Sequence, residues 1–254
     1  MLNGGLVSIS FRELPPEEIV SLTAGARLSC IEWGGDVHCP HGDVRRAGEV
    51  AALTAGAGLR TSAYGSYYRL AEENEFGFED VVASAKALGA PTIRVWAGRR
   101  GSAEADAGYR ERVVAESRRC ADIAARAGLT LSYEYHGNTL TDTNESALTL
   151  IREVDHEALR SFWQPPNGRD TEYRLEGLKA VKPWMTNVHI FTWDDENRRL
   201  PLADGEEWWT RFLAEAATTG RDHDVLMEFV ADDDPDNFRR DAEALKAWLD
   251  RANG

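Results

Sequence analysis

Eight times along this chain a short run of β-branched and aromatic residues is followed by an amphipathic stretch that closes on Gly, Ala-Gly or Pro. The runs are Leu6–Phe11, Leu28–Trp33, Leu59–Tyr64, Thr92–Trp96, Leu129–Tyr135, Leu159–Trp163, Met185–Phe191 and Val225–Val230. Helical spacing of apolar residues marks Pro16–Ala24, Val44–Ala57, Phe78–Leu88, Tyr109–Ala127, Asn144–Val154, Glu172–Val181, Glu206–Thr219 and Asp236–Ala252. In Tyr109–Ala127, for example, Val113, Ser117, Cys120, Ala121 and Ala124 share one face, with Arg118, Arg119 and Asp122 opposite. Strands that are each followed by a helix pair in parallel, because a parallel neighbour is reached only through a crossover. Dividing 254 residues by eight gives about 32 per unit, near the roughly 250 residues of a closed (β/α)8 barrel. The expectation is one α/β domain over residues 1–254, a single (β/α)8 barrel. An open doubly wound sheet is the competing fold, and no G-x-G-x-x-G turn follows the first run to support it.

Charge then removes some function classes. With 29 Lys+Arg against 43 Asp+Glu, the formal charge is −14, which repels a phosphate backbone, and no local basic stripe overrides it. No nucleic-acid partner is expected. No apolar run approaches the roughly 18 residues of a membrane helix, and the Met1-Leu2-Asn3-Gly4-Gly5 start has no signal-peptide pattern. Cys30, Cys39 and Cys120 are odd in number and form no CxxC pair, which suits a reducing compartment. A cytoplasmic protein without a membrane partner is the expectation. Cys39 lies between His38 and His41, but three residues with no second cluster make a poor soft-metal site.

In a barrel of this kind, side chains at the carboxyl ends of the strands converge on one mouth. Four successive runs place one ligand-type residue there: Glu134, Gln164, His189 and Glu228. Two carboxylates, an amide oxygen and an imidazole suit one divalent ion, Mn²⁺ best, with Mg²⁺, Co²⁺ and Zn²⁺ as alternatives. Such an ion polarises the carbonyl of a sugar or hydroxy-ketone and acidifies the adjacent C–H. Glu134 and Glu228, arriving from separated strands, are then the catalytic candidates, one removing a proton and the other returning it. Trp33, Tyr64, Trp96 and Trp163 are candidate walls; His38, Arg94, His136 and Arg198, or Arg199, are candidates to bond substrate oxygens. Barrel packing accounts equally well for any one of the aromatics. An ion pair with Glu134 or Glu32 accounts equally well for Arg94.

Taken with these strand ends, Ile31-Glu32-Trp33-Gly34-Gly35-Asp36-Val37-His38 and Tyr64-Gly65-Ser66-Tyr67-Tyr68-Arg69 carry a resemblance. The sequence resembles the xylose-isomerase-like TIM barrel superfamily, the sugar phosphate isomerases/epimerases, over nearly its whole length. The resemblance implies one divalent metal held by Glu, Asp, His and Glu on strands five to eight, onto which Glu134, His189 and Glu228 map directly. Gln164 departs from it, standing where relatives usually have Asp, and Asn167 stands where many epimerases have a sugar-contacting His. The implied activity is a metal-dependent isomerase or epimerase acting on a small carbohydrate through an enediolate. The alternative is a dehydratase or lyase of the same family, inosose- or dehydroshikimate-dehydratase-like. An abasic-site endonuclease lacks its several His and Asp ligands here, and a non-catalytic sugar-binding barrel stays open. Trp208, Trp209 and Trp248 on outer helices allow a homo-oligomer contact, though helix-to-sheet packing explains them too.

Overall fold

The computed structural model describes residues 1–254. Eight parallel strands pair in sequence order and close, the first against the eighth: β1 (Leu2–Val7), β2 (Cys30–Gly34), β3 (Arg60–Arg69), β4 (Thr92–Trp96), β5 (Thr130–Tyr133), β6 (Leu159–Trp163), β7 (Met185–Ile190) and β8 (His223–Met227). Helices α1 (Pro16–Gly25), α2 (Val44–Gly56), α3 (Phe78–Leu88), α4 (Ala107–Arg126), α5 (Asn144–Val154), α6 (Thr171–Val181), α7 (Glu206–Ala217) and α8 (Pro235–Asn253) each follow their strand. The chain is a single (β/α)8 TIM barrel.

Local chemistry sets the helix starts. Asp43, Asp106, Thr143, Asp170 and Asp234 precede α2, α4, α5, α6 and α8, and each accepts a hydrogen bond from a backbone N–H of the first turn. These caps fix where the loops above the barrel end, and hence how far each loop reaches over the mouth.

Strand alternation splits the side chains into two sets. Outward residues such as Ile31, Trp33, Tyr64, Ile93, Tyr133 and Trp163 join the large cluster between sheet and helices. Inward residues Val7, Cys30, Ala63, Phe162 and Leu226, with Ile9, form a separate apolar plug inside the barrel. Below the plug, Asp224 accepts from Arg60 and from Ser62, whose hydroxyl also takes Asn187. Above it the inward side chains turn polar, and that layer is the mouth.

The first strand differs from the expected Leu6–Phe11. It starts at Leu2, and Ser8–Phe11 is a 3-10 turn instead. Its Gly4-Gly5 pair reads as poor strand former, yet a Cβ at Gly5 would lie 2.5 Å from Cys30 Sγ and 2.6 Å from Leu226 Cδ2. Glycine is what lets β1 pass between its neighbours. Trp209 and Trp248 are buried within the chain, Trp209 against Trp163 and Phe212. No helix is long and apolar enough to cross a membrane.

Candidate active site

Six inward residues at the carboxyl ends of six strands meet above the plug. Glu32 comes from β2, Arg94 from β4 and His189 from β7, while Glu134, Gln164 and Glu228 follow directly on β5, β6 and β8. Arg94 Nε donates to Glu32 Oε1 at 2.6 Å, and Arg94 Nη1 donates to Glu134 Oε2. The other Glu32 oxygen lies 2.9 Å from His189 Nε2. His189 Nδ1 faces Gln164 Oε1 at 3.0 Å, Glu228 Oε2 at 3.3 Å and Glu134 Oε1 at 3.9 Å. Arg94 thus bridges two carboxylates, and one of them holds the imidazole.

Burial makes these charges interdependent. Glu32, Arg94, Glu134, His189 and Glu228 are each at most 4% exposed, so each needs its partners to offset lost hydration. Burial raises Glu32's pKa, but Arg94 and His189 outweigh it and hold the carboxyl below its ordinary range. Burial likewise lowers His189, yet Glu228 and Glu32 raise it to about 9. Gly65 makes room for the pair, since a Cβ there would lie 2.7 Å from Arg94 Nη2 and 2.8 Å from Glu32 Oε1.

One atom stands out. Glu228 Oε2 is buried and has no hydrogen-bond partner, a costly state for a carboxylate oxygen. It belongs to the one group of metal-ligating side chains in the molecule, Glu134, His189 and Glu228, whose ligand atoms lie within 4.8 Å of one another. This buried group can hold a divalent ion. The donors fit one: with Nε2 bonded to Glu32, a cation that displaced the Nδ1 proton would find a lone pair facing the two carboxylates, the second-shell arrangement common to histidine ligands.

Above the group opens a cavity of about 360 Å³ lined by Glu134, His136, Gln164, Asn167, Trp193 and Phe229, among others. Trp96 Nε1 donates to Glu134 Oε2, and its ring lies 4.7 Å from that of His136. Six other sequence candidates are placed away from this cavity. Trp33 points outward, its Nε1 bonded to Thr54 Oγ1 on α2. Tyr64 is also on the outer face, bonded to Cys39 O and His41 Nδ1. Both ring nitrogens of His38 are taken, by Ser8 Oγ and Leu14 O. Arg198 is 70% exposed and paired with Asp194. Trp163 packs outward on α7, and Arg94 is wholly engaged inside the ring of charges rather than facing the cavity. Strand parity explains Trp33, Tyr64 and Trp163: one step from an inward residue is outward.

Two residues at the mouth, Tyr67 and Phe229, were not candidates from sequence, and Glu32 was read there only as a possible ion-pair partner of Arg94. Glu32 completes the ion-pair ring. Tyr67 lies under the Arg94 guanidinium at 5.0 Å and beside Trp96. Phe229 follows Glu228 and lines the cavity. Tyr67 and Phe229 both adopt left-handed backbone, φ 56° and 57°, a strain of about 1–3 kcal/mol for such residues that tends to mark functional sites. Glu32 carried a signal, a carboxylate within an apolar strand; the two backbone twists carried none.

A parallel barrel with a buried Glu/His/Glu group at the ends of three strands defines the class. A family model for the xylose isomerase-like TIM barrel matches residues 28–248, and the chain belongs to that family. A 3-dehydroshikimate dehydratase of Bacillus anthracis is 32% identical over 104 residues, 39% of this chain and 35% of that protein, so the chain matches about a third of that relative's length. Among solved structures, a probable 3-DHS dehydratase involved in petrobactin synthesis in Bacillus anthracis superposes with TM-score 0.83 at 22% identity, covering 97% of this chain and 99% of that one. D-psicose 3-epimerase from Clostridium cellulolyticum H10, solved with D-tagatose, gives 0.73 at 15% identity, covering 99% of each chain. A xylose isomerase-like TIM barrel protein from Mycobacterium smegmatis in complex with magnesium gives 0.74 at 17%, covering 99% and 98%. These structural likenesses establish the fold.

Proposed function

We propose that this chain is a divalent-metal-dependent isomerase or epimerase that moves a proton at the carbon beside a carbonyl in a small carbohydrate-like substrate. The observation that carries this reading is the convergence of Glu134, His189 and Glu228 at the mouth, with Glu228 Oε2 buried and unpartnered. A divalent ion held by these three, with the Gln164 amide oxygen as fourth ligand, supplies positive charge that polarises the substrate carbonyl and acidifies the neighbouring C–H. Mn²⁺ suits the mixed oxygen and nitrogen donors, with Mg²⁺, Co²⁺ and Zn²⁺ as alternatives.

The protein's own groups divide the remaining work. Glu228 Oε2, which makes no hydrogen bond and has only the His189 imidazole near it, takes the proton as the C–H electron pair becomes the enediolate. Glu134, fixed by Arg94 and Trp96, faces the cavity from another strand. Proton return from its side to the same carbon inverts the centre, and return to the neighbouring carbon moves the carbonyl. His136 and Asn167 line the space in which the hydroxyls would be held, with Trp96 packed beside His136.

A second reading has its own support. If the substrate carries a hydroxyl one carbon further on, the enediolate electrons can form a C=C bond as the C–O bond breaks, the hydroxyl leaving as water with a proton given from the carboxyl side of the cavity, which is a dehydratase reaction. The partial match to the Bacillus anthracis dehydratase favours it. Metal-loaded protein in D₂O, followed by NMR over a panel of ketoses, inososes and cyclic hydroxy-ketones, separates the two. Deuterium in an isomer supports the first reading, and an unsaturated product the second. No exchange by protein shown to hold its metal would reject both. Glu228→Gln should slow exchange by roughly 10²- to 10⁴-fold.

A further inference from the structure

Arg69, at the end of β3, lies close to the catalytic carboxylates yet has no carboxylate of its own. Its guanidinium stacks on the Trp96 ring, 3.8 Å from the centroid, and Nη1 donates to Gly98 O at 3.2 Å. The other face of this contact leads into the site, because Trp96 Nε1 bonds Glu134 Oε2 and the Trp96 ring neighbours His136. No Asp or Glu oxygen lies within 4 Å of Arg69 or of Arg99, whereas most arginines of this acidic chain are paired. The two unpaired cations both line a cavity of about 580 Å³ that Tyr67 also lines, near enough for the Arg99 charge to act on Arg69. Burial and the Arg99 charge both disfavour the Arg69 cation, with Glu72 only partly compensating. Glu72 is itself held by the Tyr109 hydroxyl. The carboxylates that line the cavity, Asp36, Glu73 and Glu75, are solvent-exposed, Asp36 being paired with Arg12.

A half-buried guanidinium near a like charge is a destabilising arrangement that a bound anion relieves. We propose that Arg69, with Arg99 at the rim, anchors an anionic oxygen group, carboxylate or phosphate, on the substrate, so that this barrel acts on an acidic hydroxy-ketone in preference to a neutral sugar. The inference rests on reading Glu134, His189 and Glu228 as the reaction centre. The indole of Trp96 sets the spacing: the anion sits on its outer side while the reacting carbon lies toward Glu134. Arg69 is then a specificity-determining residue, and it would act on binding of the acidic group rather than on proton transfer.

The test is a matched trio, a neutral ketohexose, its terminal phosphate ester and its terminal uronic acid, offered to metal-loaded wild type, Arg69→Met and Arg69→Lys in D₂O. In wild type one acidic member should be preferred over the neutral one, and which member wins distinguishes phosphate from carboxylate. Arg69→Met should cut the acidic-to-neutral ratio of kcat/KM by about 10- to 100-fold, chiefly through KM, the worth of one charged hydrogen-bonding partner; Arg69→Lys should restore part of it. A ratio unchanged in Arg69→Met would overturn the proposal. If metal-loaded wild type exchanges none of the three and no member of the wider ketose, inosose and cyclic hydroxy-ketone panel, the functional reading fails, and calorimetry with inorganic phosphate and with acetate judges the anion site alone. Loss of the stronger binder in Arg69→Met sustains the site, and equal binding by both proteins removes it.

Discussion

Gly65 shows how much of the site depends on a residue with no chemistry. It leaves the volume in which Arg94 reaches Glu32, so Gly65→Ala must displace one of two buried charges. Overpacking of this kind costs about 1–3 kcal/mol, and urea unfolding should register it together with weakened metal binding. Gln164 is the second informative position. Its amide oxygen faces His189 Nδ1 at 3.0 Å, and as a neutral donor it gives a bound ion one negative charge less than an aspartate would. Gln164→Asp should therefore tighten metal binding, as read by titrating Mn²⁺ into the two metal-free proteins. Equal affinities would remove Gln164 from the coordination sphere. Glu134, His189 and Glu228 were legible in the sequence because each is a polar residue set among apolar strand neighbours. Gly65 was not, because its role is defined by side chains on two other strands.

Within each strand, alternation decided what pattern alone had left open. The sequence located the strands to within a few residues, and the mouth with them, but for Trp33, Tyr64, Trp96 and Trp163 it left site wall and barrel packing equally open. Glu32 and Trp33 are adjacent, so an inward Glu32 forces Trp33 onto the helix layer, where it bonds Thr54. Trp33→Phe should cost about 0.5–1.5 kcal/mol for the lost hydrogen bond and leave KM within twofold of wild type. A large KM change would restore Trp33 to the substrate cavity. β1 was misplaced for a different reason. Its glycines are poor strand formers, and only the closed barrel shows that β2 and β8 approach too closely for a side chain.

At the scale of the whole molecule, closure of the barrel buries histidines as well as carboxylates. Burial lowers the pKa of His38 and His223, and that of His41 to about 4 beside Phe76 and Tyr64. For His41 the unfolded chain binds its proton near the ordinary value of 6.5, before the folded protein does. Its contribution is thus present above that pH and is lost as pH falls from about 6.5 toward 4. Wild type should lose stability relative to His41→Gln between pH 7 and pH 5 in paired urea titrations, and a pH-independent difference would show that His41 titrates in the fold as it does in the unfolded chain.

The central claim is that the barrel mouth is a metal centre built from three strand ends. Calorimetric titration of Mn²⁺ into metal-free wild type and metal-free His189→Ala tests it most directly, with circular dichroism confirming that both are folded. The account predicts one site per chain in wild type and loss of most of that binding in the variant, because His189 Nδ1 supplies the nitrogen facing both carboxylates. Full stoichiometry at undiminished affinity in His189→Ala would contradict it.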